Sequence, residues 1–184
     1  MAFHKFFVEE RTKIEVENDF NEWDLLKLYD LAVSYNVPII FHFDYHEDHV
    51  EEITTTLPSY AETKFIWAHA GDAQPDELAP LLDQFDNLYI DISCRNPLES
   101  FQGRLVSTAL QRLDESDGTI KDDWRKLFSD YSDQVLYGSD IGPTGRLEQY
   151  GEIQDYYRDI LSQLDPTVAE KIARKNAENL FHSN

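Results

Sequence analysis

Residues 37–43 read VPIIFHF and residues 64–71 read KFIWAHAG. Each is a short apolar run with a histidine at or near its C-terminal end. Near-continuous apolar runs of this length are what strands buried on both faces carry. Two later runs share the build: NLYIDIS at 87–93 and QVLYGSD at 134–140. Amphipathic stretches separate the runs, and that alternation is the pattern of a parallel sheet covered by helices.

Working outward, FHKFFVE at 3–9 reads as an earlier strand. A helix is expected over 21–35, with Asn21 as cap, Asp24 three residues on, and Leu25, Leu28, Tyr29 and Ala32 lining one face. Asn36 suits the left-handed position after a helix, and Pro38 cannot continue one. An acidic helix follows over 47–57, and Pro75 with Asp76 opens another that Pro80 kinks or delays. The longest connection, 94–133, is expected to hold helices over 101–113 and 122–131, separated by a turn at 115–118. Helices over 147–164 and 166–181 finish the chain, with Asp165 and Pro166 suited to the N-cap and first helical positions of the second.

The chain has 184 residues, enough for one domain with a substantial core. Hydrophobic and aromatic fractions of 41% and 13% argue for a folded globule. The net charge of −20 excludes a phosphate-binding nucleic-acid surface and opposes anionic membranes. No apolar run approaches the ~20 residues of a spanning helix, and the start, MAFHKFFVEERTK, has no apolar signal core. The single cysteine, Cys94, rules out an internal disulfide and a cysteine-rich zinc site, so a soluble, cytoplasmic protein is expected.

Three runs carry, at or near their ends, a residue able to bind a metal or move a proton: His42, His69 and Asp140. One such histidine is usually a hydrogen-bonded structural residue. Three equivalent positions are different, because parallel strands deliver their C-terminal ends to one rim, where a barrel's active site sits. Two imidazoles and a carboxylate there suit zinc or a similar ion.

With those residues in place, the sequence resembles the amidohydrolase-related (amidohydrolase 2) family of metal-dependent TIM-barrel hydrolases, which also includes nonoxidative decarboxylases. VPIIFHF resembles the family's fifth strand, KFIWAHAG the sixth, NLYIDIS the seventh and QVLYGSDIGP the eighth, while AEKIARKNAENLF is similar to its terminal helix. The resemblance implies an α/β fold that is part of a (β/α)8 TIM-type barrel. About five parallel strands, four to eight, would form a single domain over residues 1–184. It implies that His42 and Asp140 are metal ligands, that His69 is a second imidazole ligand or an acid/base, and that Asp140 can take a proton. Ser93 and Arg95, at the end of the seventh strand, would contact substrate by position. The chemistry implied is hydrolysis of an amide, ester or lactone in a small molecule by water activated at a divalent metal, zinc or alternatively manganese. A decarboxylase would use the same rim, with His69 handling the proton.

The chain departs from the family in one respect. The family's first strand supplies two ligands from a His-x-His pair, and none occurs here. His46 and His49 fall on the acidic helix, where solvation is expected, and His4 has no partner. Lys5 lies on the first strand and is not assigned a ligand role. Five strands cannot close a barrel of ~250 residues. The sheet edges near Phe3 and Gln134 are therefore expected to be covered by self-association, by a missing N-terminal half, or by a helix or loop. The missing pair also keeps open a non-catalytic, partner-binding remnant of the barrel. Other signals are bland: the aromatic stretch 150–161 is expected to pack, the acidic runs to be solvated, and the glycines form no phosphate cradle. There is no Gly-x-Ser-x-Gly, and Cys94 has no evident catalytic partner.

Overall fold

A computed structural model describes residues 23–98, 100–101, 104–105, 111–141 and 144–181. The strand expected at 3–9, the cap at Asn21, and His4 and Lys5 lie outside the described residues.

The elements are α1 (Trp23–Tyr35), β1 (Ile39–Phe41), α2 (Glu47–Thr56), β2 (Phe65–Trp67), α3 (Pro75–Gln84) and β3 (Leu88–Asp91). Then come β4 (Ser100–Phe101), β5 (Arg104–Leu105), α4 (Asp122–Asp130), β6 (Val135–Leu136), α5 (Thr144–Glu148), α6 (Tyr150–Ser162), α7 (Pro166–Glu170) and α8 (Asn176–Phe181). Four strands form a parallel sheet in the order β1-β2-β3-β6. Ile39 pairs with Phe65 and Phe65 with Leu88; Trp67 pairs with Ile90 and Ile90 with Val135. The C-terminal ends of all four strands therefore share one edge.

Side-chain alternation divides the sheet. Phe41, Trp67, Ile90 and Val135 face the helices and join the main core with Ile53, Leu78, Leu82, Trp124, Phe128, Ile153 and Tyr157. Each helix supplies its share at helical spacing, as with Trp124, Leu127 and Phe128 on α4 and Ile153, Tyr157, Ile160 and Leu161 on α6. Burying one such side chain stabilises by about 1.5–3 kcal/mol. The opposite sheet face carries a smaller cluster of Ile66, Leu136 and Leu180, so α8 covers part of it.

Side-chain amides join neighbouring units. Asn87 Nδ2 donates to Leu57, Tyr60 and Thr63 carbonyls, and Gln134 Nε2 to those of Leu82, Phe85 and Leu88. The expected caps of the final helices hold: Asp165 accepts from the Thr167 N–H at 2.8 Å with Pro166 behind it. Asn36 adopts φ 50° after α1, and the turn at 115–118 closes with Glu115 and Thr119 bonded.

Three expectations are corrected. The helix over 101–113 is not formed in its described part: β4 and β5 pair antiparallel, Ser100 with Leu105 and Phe101 with Arg104. Gly103, which lies between these strands in the sequence, opposes helix propagation. The run 37–43 is not buried on both faces, because Ile40 is 49% exposed where α8 does not reach. Leu28 is exposed as well, and α1 packs through Leu26, Tyr29 and Ala32. No helix among the described residues is long and apolar enough to cross a membrane.

Candidate metal centre

At the shared edge, the strands do not simply stop. The residues that leave the ends of β2, β3 and β6 turn through the left-handed region: His69 at φ 57°, Cys94 at 58° and Asp140 at 43°. For residues with a Cβ this costs on the order of 1–3 kcal/mol each, and it persists only where the surroundings impose it. After β2 the strain is concentrated, with His69, Ala70, Gly71 and Asp72 all left-handed. Gly71 is required there, since a Cβ would sit 2.2 Å from the Trp67 ring.

Arg95 imposes that turn. Its guanidinium is fully buried, donating to the His69 carbonyl from Nε (3.0 Å) and Nη2 (2.9 Å), to Ala73 O (2.9 Å) and to Gln111 O (3.1 Å). It also lies over the Trp124 ring at 5.0 Å. Burial lowers its pKa to about 10, opposed chiefly by Asp72, and leaves it charged at neutral pH. The substrate contact expected of Arg95 is replaced by this internal role, because an enclosed guanidinium meets no ligand.

Ser93 fixes the ring of His69. The Ser93 hydroxyl donates to Asp91 Oδ1, which also accepts the Ser93 N–H at 2.7 Å, and Ser93 Oγ lies 2.8 Å from His69 Nδ1. With its proton committed to Asp91, the hydroxyl accepts from Nδ1–H, and Nε2 is left with its lone pair. Burial pushes the Asp91 carboxyl up, with His69 and the Ser93 hydrogen bonds pulling it back. Gly138 makes room for Asp91, since a Cβ would stand 2.8 Å from its Oδ1.

The remaining groups gather around this pair. The ring of His42, just past β1, meets that of His69 edge-on at 4.9 Å. The Cys94 thiol donates to Asp140 Oδ2 at 3.3 Å. Arg146, buried on α5, is ion-paired with the same carboxylate and donates to Asp140 O at 2.9 Å and to Cys94 Sγ at 3.7 Å. One donor atom each from His69, Cys94 and Asp140 lies within 4.8 Å of the others. An imidazole, a thiol and a carboxylate, with a second imidazole alongside, fit a borderline-soft divalent ion.

The structure thus brings His42, His69, Ser93 and Asp140 to one rim, with Arg95 beneath it. Three participants were not foreseen. Cys94 joins the rim through its hydrogen bond to Asp140, and Asp91 sits two residues before Ser93 on the same strand face, a spacing that could have revealed it. Arg146 reaches the rim across a loop and leaves no signal in the sequence. His46 is solvated as expected but stands just before α2 as its N-cap, whereas His49 packs on Phe43 at 4.5 Å and bonds to Asp44 O at 2.6 Å.

A parallel α/β sheet with polar donors on its C-terminal edge defines an open portion of a (β/α)8-type barrel. The chain belongs to the amidohydrolase family, whose pattern matches residues 13–182. No curated protein sequence matches it. Among solved structures it is similar to an uncharacterized TIM-barrel protein from Bordetella bronchiseptica (16% identity, TM-score 0.64, covering 90% of this chain and 53% of that one). It is also similar to a probable 2-pyrone-4,6-dicarboxylic acid hydrolase from Acinetobacter baumannii with citric acid bound (15%, 0.56, 90% and 60%). A third is a dihydroxybenzoic acid decarboxylase from Polaromonas sp. JS666 with bound manganese and 2-nitroresorcinol (12%, 0.53, 91% and 56%). These likenesses establish the fold. The chain spans between 53% and 60% of the length of these three structures.

Proposed function

We propose that this chain is a single domain, strands four to eight of an amidohydrolase barrel, that carries the catalytic rim of a metal-dependent hydrolase. The reaction is attack of water on an amide, ester or lactone carbonyl of a small molecule. The observation that carries the reading is the convergence of His69, Cys94 and Asp140 donors within 4.8 Å at three strand ends, with the His42 ring beside them.

His42, His69 and Asp140 would hold the ion, zinc or alternatively manganese. When bound, such an ion polarises the carbonyl and activates the attacking water. The chain's own residues supply the rest. Asp91 and Ser93 set the His69 tautomer, so Nε2 faces the reaction as ligand or base. Arg146 fixes the position of Asp140, whose half-exposed carboxylate takes the water's proton and returns it to the leaving group. Arg95 keeps the His69 turn in register. A small-molecule substrate, a cytoplasmic setting and no nucleic-acid or membrane partner complete the reading, in keeping with the net charge of −20.

A second reading is nonoxidative decarboxylation, favoured by the manganese-bound dihydroxybenzoic acid decarboxylase among the similar folds. There His69 would deliver the proton that replaces the carboxylate. To separate the two, the purified chain supplied with zinc or manganese is assayed for lactone and ester hydrolysis and for decarboxylation of aromatic acids. Hydrolysis that disappears in both His69→Ala and Asp140→Ala is expected. Decarboxylation alone would establish the second reading. No turnover with no bound metal would leave a non-catalytic remnant.

A further inference from the structure

We infer that Cys94 is itself a metal ligand, so that the rim takes a thiophilic divalent ion, zinc or cobalt, in preference to manganese or magnesium. The inference rests on the metal-dependent reading above and specifies its ion. A family site built on imidazoles and carboxylate alone accommodates hard and borderline ions alike, whereas one sulfur among the donors shifts the preference toward softer ions.

Three features place the sulfur in the site. Cys94 Sγ is one of three donor atoms lying within 4.8 Å of one another, the others coming from His69 and Asp140. An ion with bonds of about 2.0–2.3 Å would gather all three with a small inward movement. Its residue leaves β3 in the same left-handed conformation in which His69 leaves β2 and Asp140 follows β6. That shared departure sends Ser93 to His69 and the thiol to Asp140. Finally, the chain has no His-x-His pair. Beside His42, His69 and Asp140, Cys94 offers a further donor within reach of the same ion, for which three or four protein ligands are usual. On binding, the thiol proton leaves to solvent and the sulfur coordinates as thiolate. Arg146, already paired with Asp140 and 3.7 Å from the sulfur, bonds to both donor groups until the ion takes that position.

The test is cobalt(II) titration of the purified chain followed by near-ultraviolet absorption, alongside zinc and manganese affinities of the wild type and of C94S. Serine preserves the size of the buried side chain, and a cooperative urea transition in the variant checks that it folds. Expected are a thiolate-to-cobalt charge-transfer band that C94S abolishes, a zinc affinity lowered about 100-fold or more by loss of a direct ligand, and manganese binding that is weaker from the start and nearly unchanged. Cobalt binding without that band, or equal zinc affinity in C94S, overturns the assignment of Cys94 and leaves the metal-dependent reading intact. A chain that binds none of the three ions overturns both.

Discussion

At the scale of single residues, the rim depends on one hydroxyl. Ser93 links Asp91 to His69 through its Oγ. Ser93→Ala should retain the fold, because the side chain is small and its loss opens little space. It should lower kcat/KM about 10–100-fold by freeing the imidazole, and equal turnover in the variant would exclude the relay. Asp91 makes a separate prediction. Burial raises its carboxyl pKa, against the pull of His69 and Ser93, so the folded chain gives up this proton at a higher pH than the unfolded chain does. For an acid shifted this way, stability falls as pH rises from the ordinary carboxylate range through the raised value. Asp91→Asn keeps the acceptor and carries no charge, so its urea midpoint relative to wild type should rise from pH ~4 to neutrality. A constant difference at both pH values would mean that Asp91 ionises freely. His42, His69 and Asp140 were legible in the sequence because apolar runs ended on them. Arg95 was legible as a position but not as a role, since nothing local tells that a guanidinium will turn inward to backbone carbonyls.

At the scale of elements, strands and helices followed from hydrophobic period, and their ends followed from caps at Asn36 and Asp165. Two departures have physical causes beyond the reach of periodicity. The β4–β5 hairpin replaces a helix that the apolar spacing suggested, and the final helix, unbroken over 166–181 as expected, is irregular in its middle. Between α7 and α8, residues Lys171–Lys175 widen into a π-turn, and the Ile172 carbonyl accepts the Tyr137 N–H at 2.9 Å. Tertiary pairing with the end of β6 outcompetes regular helix there. Asn176 anchors the same junction, its Nδ2 donating at 2.7 Å to both Ser132 and Val135 carbonyls. Asn176→Ala leaves two carbonyls short of a donor and should cost about 2–3 kcal/mol, read as a lower urea midpoint with unchanged m-value. A loss below 0.5 kcal/mol would show that water replaces the amide without cost. The left-handed turn after β2 offers a sharper test. Gly71→Ala adds a Cβ that would lie 2.2 Å from the Trp67 ring at φ 58°, so strain and overpacking act together. It should destabilise by about 3 kcal/mol or more. It should also weaken metal binding, because the same turn carries His69.

At the scale of the whole molecule, the two faces of the sheet are unequally covered. In a closed barrel the helices ring the outside and the opposite face lines the interior. Among the described residues the helix-facing side chains are buried, whereas on the other face Ile66 and Leu136 are buried against Leu180, with Tyr89 and Ala177 partly buried beside them. Ile40 pairs in register with Ile66 on that same face and is 49% exposed, and neighbouring Val37 is 50% exposed. A barrel portion with these residues open should associate through them, with a second copy when no other half is supplied. Its charge of −20 opposes that pairing, and salt screens the repulsion while leaving apolar contact intact. Sedimentation velocity should therefore show a dimer fraction that grows with protein concentration and with salt. Full burial of one isoleucine stabilises by about 1.5–3 kcal/mol, so Ile40→Lys should weaken the dimer at least tenfold. A cooperative monomer at every concentration and salt level, unaltered by Ile40→Lys, would mean that the open face is stable in water by itself.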